Sequence, residues 1–328
     1  MNIFITGEKG FIASNLIERM KLFDMNFISG MCEKNESAQI FGHRLSETRE
    51  PCVVHNAEEQ WKQFFIINNI DIVIHNAAVV GTDVVALSDR RATLTNVDGT
   101  FIICRAAELL NIPVCYMGTT VIYDTPKYQN SQIVETSDLA PKTYYGSLKL
   151  ASEYILRSHC SKWMIIRPLF AYGGEGDMNS LIAKTIYAAI NNKEKVDMFL
   201  DPTKVKDYMH VNDYCDAVLT AIDLGLWNND WNVAAETPLV VGEIVKMLCD
   251  TVGKDVAEFI EWHPQTDYLG NHMLSAQKFK EASGWTPKIT LGKGIQMSLE
   301  SIMKSKGYNP LKYLQQAKRH DVDLTQYY

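Results

Sequence analysis

The chain has 328 residues, 46% hydrophobic and 22% charged, with 39 acidic against 32 basic side chains and a formal net charge of −7. That mixture can bury a sizeable core, which excludes a disordered or disulfide-stapled miniature. It also offers no cationic field to a phosphate backbone, so nucleic acid is not an expected partner.

Asn2 to Thr6 is a short β-prone apolar run that ends at Gly7, and Leu16, Ile17 and Met20 follow at helical spacing within residues 14–22. The pattern is strand, glycine turn, helix. Further apolar runs at Phe27-Ile28, Val53-Val54, 71–75, 112–117 and 163–167 predict strands, and residues 60–68, 96–110 and 145–158 predict helices between them. Strands that are nearly continuous in apolar residues and alternate with helices predict an α/β fold, a doubly wound parallel sheet of Rossmann-like type. After Arg167-Pro168 the rhythm changes to a glycine-rich turn, Gly173-Gly174-Glu175-Gly176, with isolated helices over 180–191 and 241–252. We expect one domain over residues 1–172 and a smaller, partly helical lobe over 173–328. The strand-like Trp231-Asn232-Val233 implies that the lobe is interleaved with late sheet strands. The seven cysteines (Cys32, Cys52, Cys104, Cys115, Cys160, Cys215 and Cys249) are scattered and never spaced C-x-x-C, as expected for buried thiols in a reducing compartment. No segment reads as a signal peptide or a membrane span, so a cytoplasmic protein without membrane attachment is expected.

Gly7-x-x-Gly10-x-x-Ala13 closes the first strand and opens the first helix, where a turn without Cβ atoms lets backbone N–H groups approach a pyrophosphate. Any strand-to-helix turn that needs glycine reads similarly; the position straight after an apolar strand favours a dinucleotide. Tyr-x-x-x-Lys occurs three times. Tyr123/Lys127 and Tyr308/Lys312 each enclose a proline, Pro126 or Pro310, which disfavours one continuous helical face. Tyr145/Lys149 keeps i,i+4 geometry, and a cationic Lys149 beside the phenol is expected to lower the pKa of Tyr145 and make it a general base.

In order and spacing the chain resembles the extended short-chain dehydrogenase/reductase family, in its NAD-dependent epimerase/dehydratase branch. The resemblance rests on Thr6 to Ser14, His75-Asn76-Ala77-Ala78, Asn96-Val97-Asp98-Gly99-Thr100, Gly118 to Tyr123, Tyr145 to Lys149, Arg167-Pro168, Tyr172-Gly173, Lys206 to Asp213 and Gly284-Trp285-Thr286-Pro287. It implies a dinucleotide-binding domain over 1–172 and a substrate lobe over 173–328. Gly7, Gly10, Phe11 and Ile12 would form the pyrophosphate turn, and Asn56 would lie near the adenine. Ala77, Ala78 and Pro168 would line the cofactor, Asn96 would support the active-site helix, and Lys149 would hold the nicotinamide ribose. Thr119, Tyr145 and Lys149 would be catalytic. Thr82, Thr119, Phe170, Asn179, Lys206 and His210 would meet a nucleotide-linked sugar. The cofactor would be NAD or NADP, with NAD favoured, no metal is expected, and the partner would be a second copy in a homodimer.

Plainer roles compete at several positions. His75 is expected to be satisfied by backbone at a strand end, Asn96 to cap the following helix, Asp207 and His210 to be buried with hydrogen-bond partners as readily as to touch substrate, and Trp285 to pack. The chain also departs from the family's usual pattern. Phe170 replaces a common asparagine and Lys206 a common arginine, so the diphosphate grip must be built differently. Thr120 and Val121 replace the Asp-Glu pair of the 4,6-dehydratases, which disfavours elimination of water. The expected activity is therefore a sugar 4-epimerase working by transient oxidation, with a reductase of 4-keto sugar nucleotides as the alternative and a dinucleotide-binding regulator without turnover as a third reading.

Overall fold

The computed structural model describes residues 1–23, 25–30, 57–80, 90–174, 176–177, 180–264 and 270–307. The chain runs β1 (Ile3–Thr6), α1 (Phe11–Leu22), β2 (Phe27–Gly30), α2 (Ala57–Ile67), β3 (Ile72–His75) and α3 (Arg90–Thr93). A π-helical turn (Leu94–Asp98) leads into α4 (Gly99–Glu108), β4 (Val114–Met117), two 3-10 turns (Thr120–Ile122 and Thr125–Tyr128), α5 (Tyr144–His159) and β5 (Trp163–Pro168). There follow β6 (Ala171–Tyr172), α6 (Leu181–Ile190), β7 (Val196–Met198), β8 (Val205–Lys206), β9 (Met209–His210), α7 (Val211–Asp223) and β10 (Asn229–Val233). The described chain ends with β11 (Leu239–Val240), α8 (Val241–Val252), α9 (Val256–Phe259), β12 (Ile260–Trp262), α10 (Gln277–Ser283) and α11 (Leu291–Ser305).

Six strands form one sheet in the order β10-β5-β4-β3-β1-β2, with β1 to β5 parallel. Every residue of β1, β3 and β4 is buried, which is why these runs are apolar without alternation. The register pairs Thr6 with His75 and His75 with Tyr116, so the first three carboxyl ends open side by side. In an open parallel sheet this is the edge where ligands bind. Beneath it, Phe4 meets Trp61 at 5.3 Å and Phe64 at 5.0 Å between ring centroids, which locks α2 onto the sheet.

The described residues fall into two compact units. One comprises Met1–Tyr123, Leu139–Arg167 and Val218–Trp231 among its described residues, and the other Asp124–Asp138, Pro168–Ala217 and the described residues from Asn232 onward. The second unit has its own core, in which Tyr172, Ile182 and Ile186 pack with Ile244, Leu248, Phe259, Ile295 and Leu299.

The helix expected over 96–110 is preceded by a π turn, and α1 begins at Phe11 rather than at residue 14. The segment holding Tyr123 and Lys127 forms a 3-10 turn with Pro126 in its first positions, not a helix. Trp231-Asn232-Val233 lies in β10, an edge strand of the six-stranded sheet. Val53-Val54, Tyr308/Lys312, Cys32 and Cys52 lie outside the described residues; the other five cysteines are buried free thiols.

Candidate active site

Gly7 takes φ +74°, and a Cβ built there would stand 2.8 Å from Ala77 Cα, so only glycine lets the β1 turn lie against the turn after β3. The Gly10 amide donates to the Gly7 carbonyl at 2.8 Å, and Gly10 precedes α1 with no side-chain cap and no acid in the helix's first turn. The first N–H groups of α1, Phe11 and Ile12 among them, have no acceptor within the helix. This cradle suits the pyrophosphate of a dinucleotide by both shape and dipole.

Thr6 Oγ1 accepts the Asn76 amide at 3.1 Å and the Ala77 amide at 3.0 Å, so its own proton goes to His75 Nδ1 at 2.9 Å. His75 must then carry its proton on Nε2, which donates to Thr100 Oγ1 at 3.0 Å, and Thr100 donates onward to the Asn96 carbonyl at 2.6 Å. Burial first, and the nearby Lys149 second, lower the His75 pKa to about 3 and hold the ring neutral. His75 is thus satisfied by two hydroxyls, not by backbone as expected. Asn96 is not a helix cap either. It lies inside the π turn, where its side chain accepts the Val79 amide at 2.7 Å and donates to the Val79 carbonyl at 3.0 Å. Its carbonyl also accepts Ser152 Oγ of α5 at 2.6 Å, so Asn96 joins the chain after β3 to α5.

Thr143 caps α5 by accepting the Gly146 amide at 3.0 Å. A Cβ on Gly146 would come within 2.8 Å of the Val121 carbonyl. The missing side chain therefore lets α5 close on the turn after β4. Thr119 lies in the same turn after β4, close enough for its hydroxyl to pull the Tyr145 pKa down. One helical turn along, Lys149 is 2% exposed; its Nζ donates to the Met117 carbonyl at 2.5 Å and lies 4.0 Å from the centre of the Tyr116 ring.

The expected depression of the Tyr145 pKa is not found. Burial of the hydroxyl raises it to about 12, and the opposing influence is the Thr119 hydroxyl, not the lysine. The Lys149 amine is turned to Met117 and Tyr116, and burial lowers its own pKa to about 7 against the pull of Glu153. Sequence reasoning missed Glu153. Its only signal was spacing, since Tyr145, Lys149 and Glu153 stand at i, i+4 and i+8 on one helical face.

Pro168, Phe170, Lys206 and His210 belong to the second unit. Phe170 adopts φ +23°, uncommon for a residue with a side chain, and its ring meets Tyr208 at 5.4 Å and His272 at 5.3 Å. Lys206 Nζ lies 5.6 Å from the centre of that ring and donates to the Gly270 carbonyl at 2.6 Å. His210 is 2% exposed, accepts the Asn212 amide on Nδ1 at 3.2 Å and meets Tyr172 edge-on. Asp207 accepts the Glu236 amide at 2.9 Å and the Thr237 amide at 3.3 Å, while burial raises its pKa to about 6. Trp285 packs on Phe279 at 5.6 Å, in keeping with a core role. Asn56, Thr82 and Asn179 lie outside the described residues.

A family model described as "NAD dependent epimerase/dehydratase family" matches residues 3–234. GDP-6-deoxy-D-talose 4-dehydrogenase of Aggregatibacter actinomycetemcomitans is 28% identical over 261 residues, covering 76% of this chain and 80% of its own. UDP-glucose 4-epimerase of Bacillus subtilis (strain 168) is 25% identical over 318 residues, covering 88% and 93%. Among solved structures, the dTDP-glucose 4,6-dehydratase DesIV of Streptomyces venezuelae, with NAD and TYD bound, superposes with a TM-score of 0.79. It is 18% identical, and the match covers 95% of this chain and 100% of that one. The three relatives are named for three different reactions.

Proposed function

Because the chain belongs to the NAD dependent epimerase/dehydratase family, we propose that it is an NAD-dependent enzyme of nucleotide-linked sugars. Its activity is read as a 4-epimerase that oxidises a ring hydroxyl and reduces the ketone again from the opposite face. Bound NAD would supply the hydride acceptor and donor that such a transient oxidation needs. The Gly7–Ile12 turn holds the pyrophosphate, Ala77, Ala78 and Pro168 line the cofactor, and Lys149 holds the nicotinamide ribose. Tyr145 accepts the substrate hydroxyl proton on its phenolate oxygen and gives it back to the ketone oxygen when the hydride returns. Thr119 donates its one hydroxyl proton to the reacting sugar oxygen. Phe170, Lys206 and His210 are assigned to the substrate side. The protein is read as a cytoplasmic homodimer.

The observation that carries this reading is the α5 face on which Tyr145 stands one turn before a buried Lys149, whose amine bonds the Met117 carbonyl at the carboxyl end of β4. Against dehydration stands the turn after β4. Expulsion of water needs an acid and a base, whereas Thr119 to Tyr123 supplies Thr120, Val121 and Ile122. The 28% relative named as a 4-dehydrogenase favours a second reading, one-way reduction of a 4-keto sugar nucleotide by the same residues.

The test is incubation of purified protein with UDP-, GDP- and dTDP-hexoses. An epimerase interconverts the C4 isomers without net consumption of cofactor. Stoichiometric oxidation of added NADH with a 4-keto sugar and no isomer exchange would replace it with the reductase.

A further inference from the structure

Tyr116 and the Met117 carbonyl face Lys149 from β4, His75 from β3, and Tyr145 and Glu153 from its own helix. Of these groups, Glu153 carries the opposite charge. Its side chain is fully buried, and its two oxygens accept Arg167 Nε at 3.0 Å and Nη2 at 2.7 Å. Arg167, 1% exposed, also donates to the Tyr123 hydroxyl at 2.6 Å and pairs with Asp230 at 2.7 Å. Arg157 lies 3.5 Å from both Glu153 and Asp230. Arg157 and Arg167 thus share the two carboxylates, and Lys149 stands one helical turn before Glu153, both buried in α5.

The same ion pair bounds the segment that carries Thr119. A Cβ on Gly118 would stand 2.8 Å from Arg167 Cγ and 3.0 Å from Glu153 Oε1. Gly118 separates Met117, whose carbonyl receives Lys149, from Thr119, and the Gly118 amide donates to the Ile166 carbonyl at 2.8 Å. Four residues beyond Thr119, Tyr123 is held by Arg167. Both ends of the Gly118–Tyr123 turn thus rest on one pair.

We propose that Glu153, clamped by Arg167, is a positioning residue of the active site, serving as the counter-ion that keeps the buried Lys149 ammonium charged and as the buttress that sets Thr119. The proposal rests on the reading of Lys149 as a working group. A pair that served stability alone would be replaceable without any change in the protonation of Lys149.

The test follows the pH titration of the Lys149 Cε signal by NMR in the full-length protein labelled with 13C-lysine, assigned by its loss in Lys149→Arg. In Glu153→Gln the midpoint is expected to fall by about one pH unit, the scale of one close opposite charge. Glu153→Asp is expected to restore most of it. Asp230→Asn, at a partly exposed position that leaves the buried pair intact, is expected to move the midpoint the same way by less, because Arg167 then leans wholly on Glu153. A Lys149 midpoint that stays put in Glu153→Gln overturns the proposal, whatever happens to the melting temperature. Should Glu153→Gln not fold, an unmoved midpoint in Asp230→Asn does so. The titration needs no substrate, so its outcome is independent of whether the protein proves to be an epimerase.

Discussion

The phenol of Tyr145 and the amine of Lys149 ionise in an unusual order. Burial brings the Lys149 pKa down to about 7 and pushes that of Tyr145 up to about 12, yet the proposed chemistry needs an ionised phenol beside a charged amine. That state holds as many protons as the one with both groups neutral, so its share grows as pH rises through about 7 and then stays level until about 12. In the wild type, kcat/KM should therefore rise through about pH 7 and plateau above it. Tyr145→Phe should cut turnover by about 10²–10⁴-fold and flatten that rise, while NAD affinity, measured by titration calorimetry, changes little. Unchanged turnover in Tyr145→Phe would remove the phenol from the mechanism. The motif on α5 was legible because i,i+4 spacing survives in the sequence. The direction of the Tyr145 shift was not, because it depends on which carbonyl receives the lysine and on how much protein surrounds the hydroxyl.

At the scale of elements, the proposed dinucleotide cradle is built where β1, β3 and α1 approach closely, and its two supports make opposite demands. Gly7 needs the absence of a side chain. Gly7→Ala would combine a strained positive φ with a 2.8 Å clash at Ala77, and should destabilise the protein by about 1–3 kcal/mol. It should also abolish detectable NAD binding in the fraction that remains folded. His75 needs a buried neutral ring. Its pKa in the folded protein is about 3 against an ordinary 6.5, so between those values the unfolded chain binds a proton that the folded one does not. Stability is consequently lost as pH falls from about 6.5 toward 3. Melting temperatures followed from pH 7 to 4 should drop more steeply in the wild type than in His75→Asn, where that proton is absent; equal slopes would reassign the acid sensitivity. The strands and the glycine turn were readable because burial on both faces and positive φ leave marks in composition. The hydroxyl relay through Thr6, His75 and Thr100 was not, since it joins residues that are 69 and 25 positions apart.

Across the whole molecule, the parallel sheet was legible from the alternation of apolar runs with helical patterns, whereas the chain's division was not. The second unit takes back Asp124–Asp138, a segment that continuity in sequence would leave with the first. Nothing local marks it, because Ile133 finds its bridge partner at Leu274 and Glu135 accepts the Asn232 amide, contacts across roughly a hundred positions or more. α4 and α5 pack side by side; Tyr154 on α5 is 57% exposed, and Leu109, which follows the end of α4, is 50% exposed. If these helices pair between copies, light scattering should give twice the chain mass. Tyr154→Glu, which places a charge on the exposed side of α5, should return the protein to monomers by about a tenfold or greater weakening of association while the far-ultraviolet circular dichroism is unchanged. A wild type that scatters as one chain at micromolar concentration removes the dimer. A Tyr154→Glu protein that stays dimeric moves the interface away from α5.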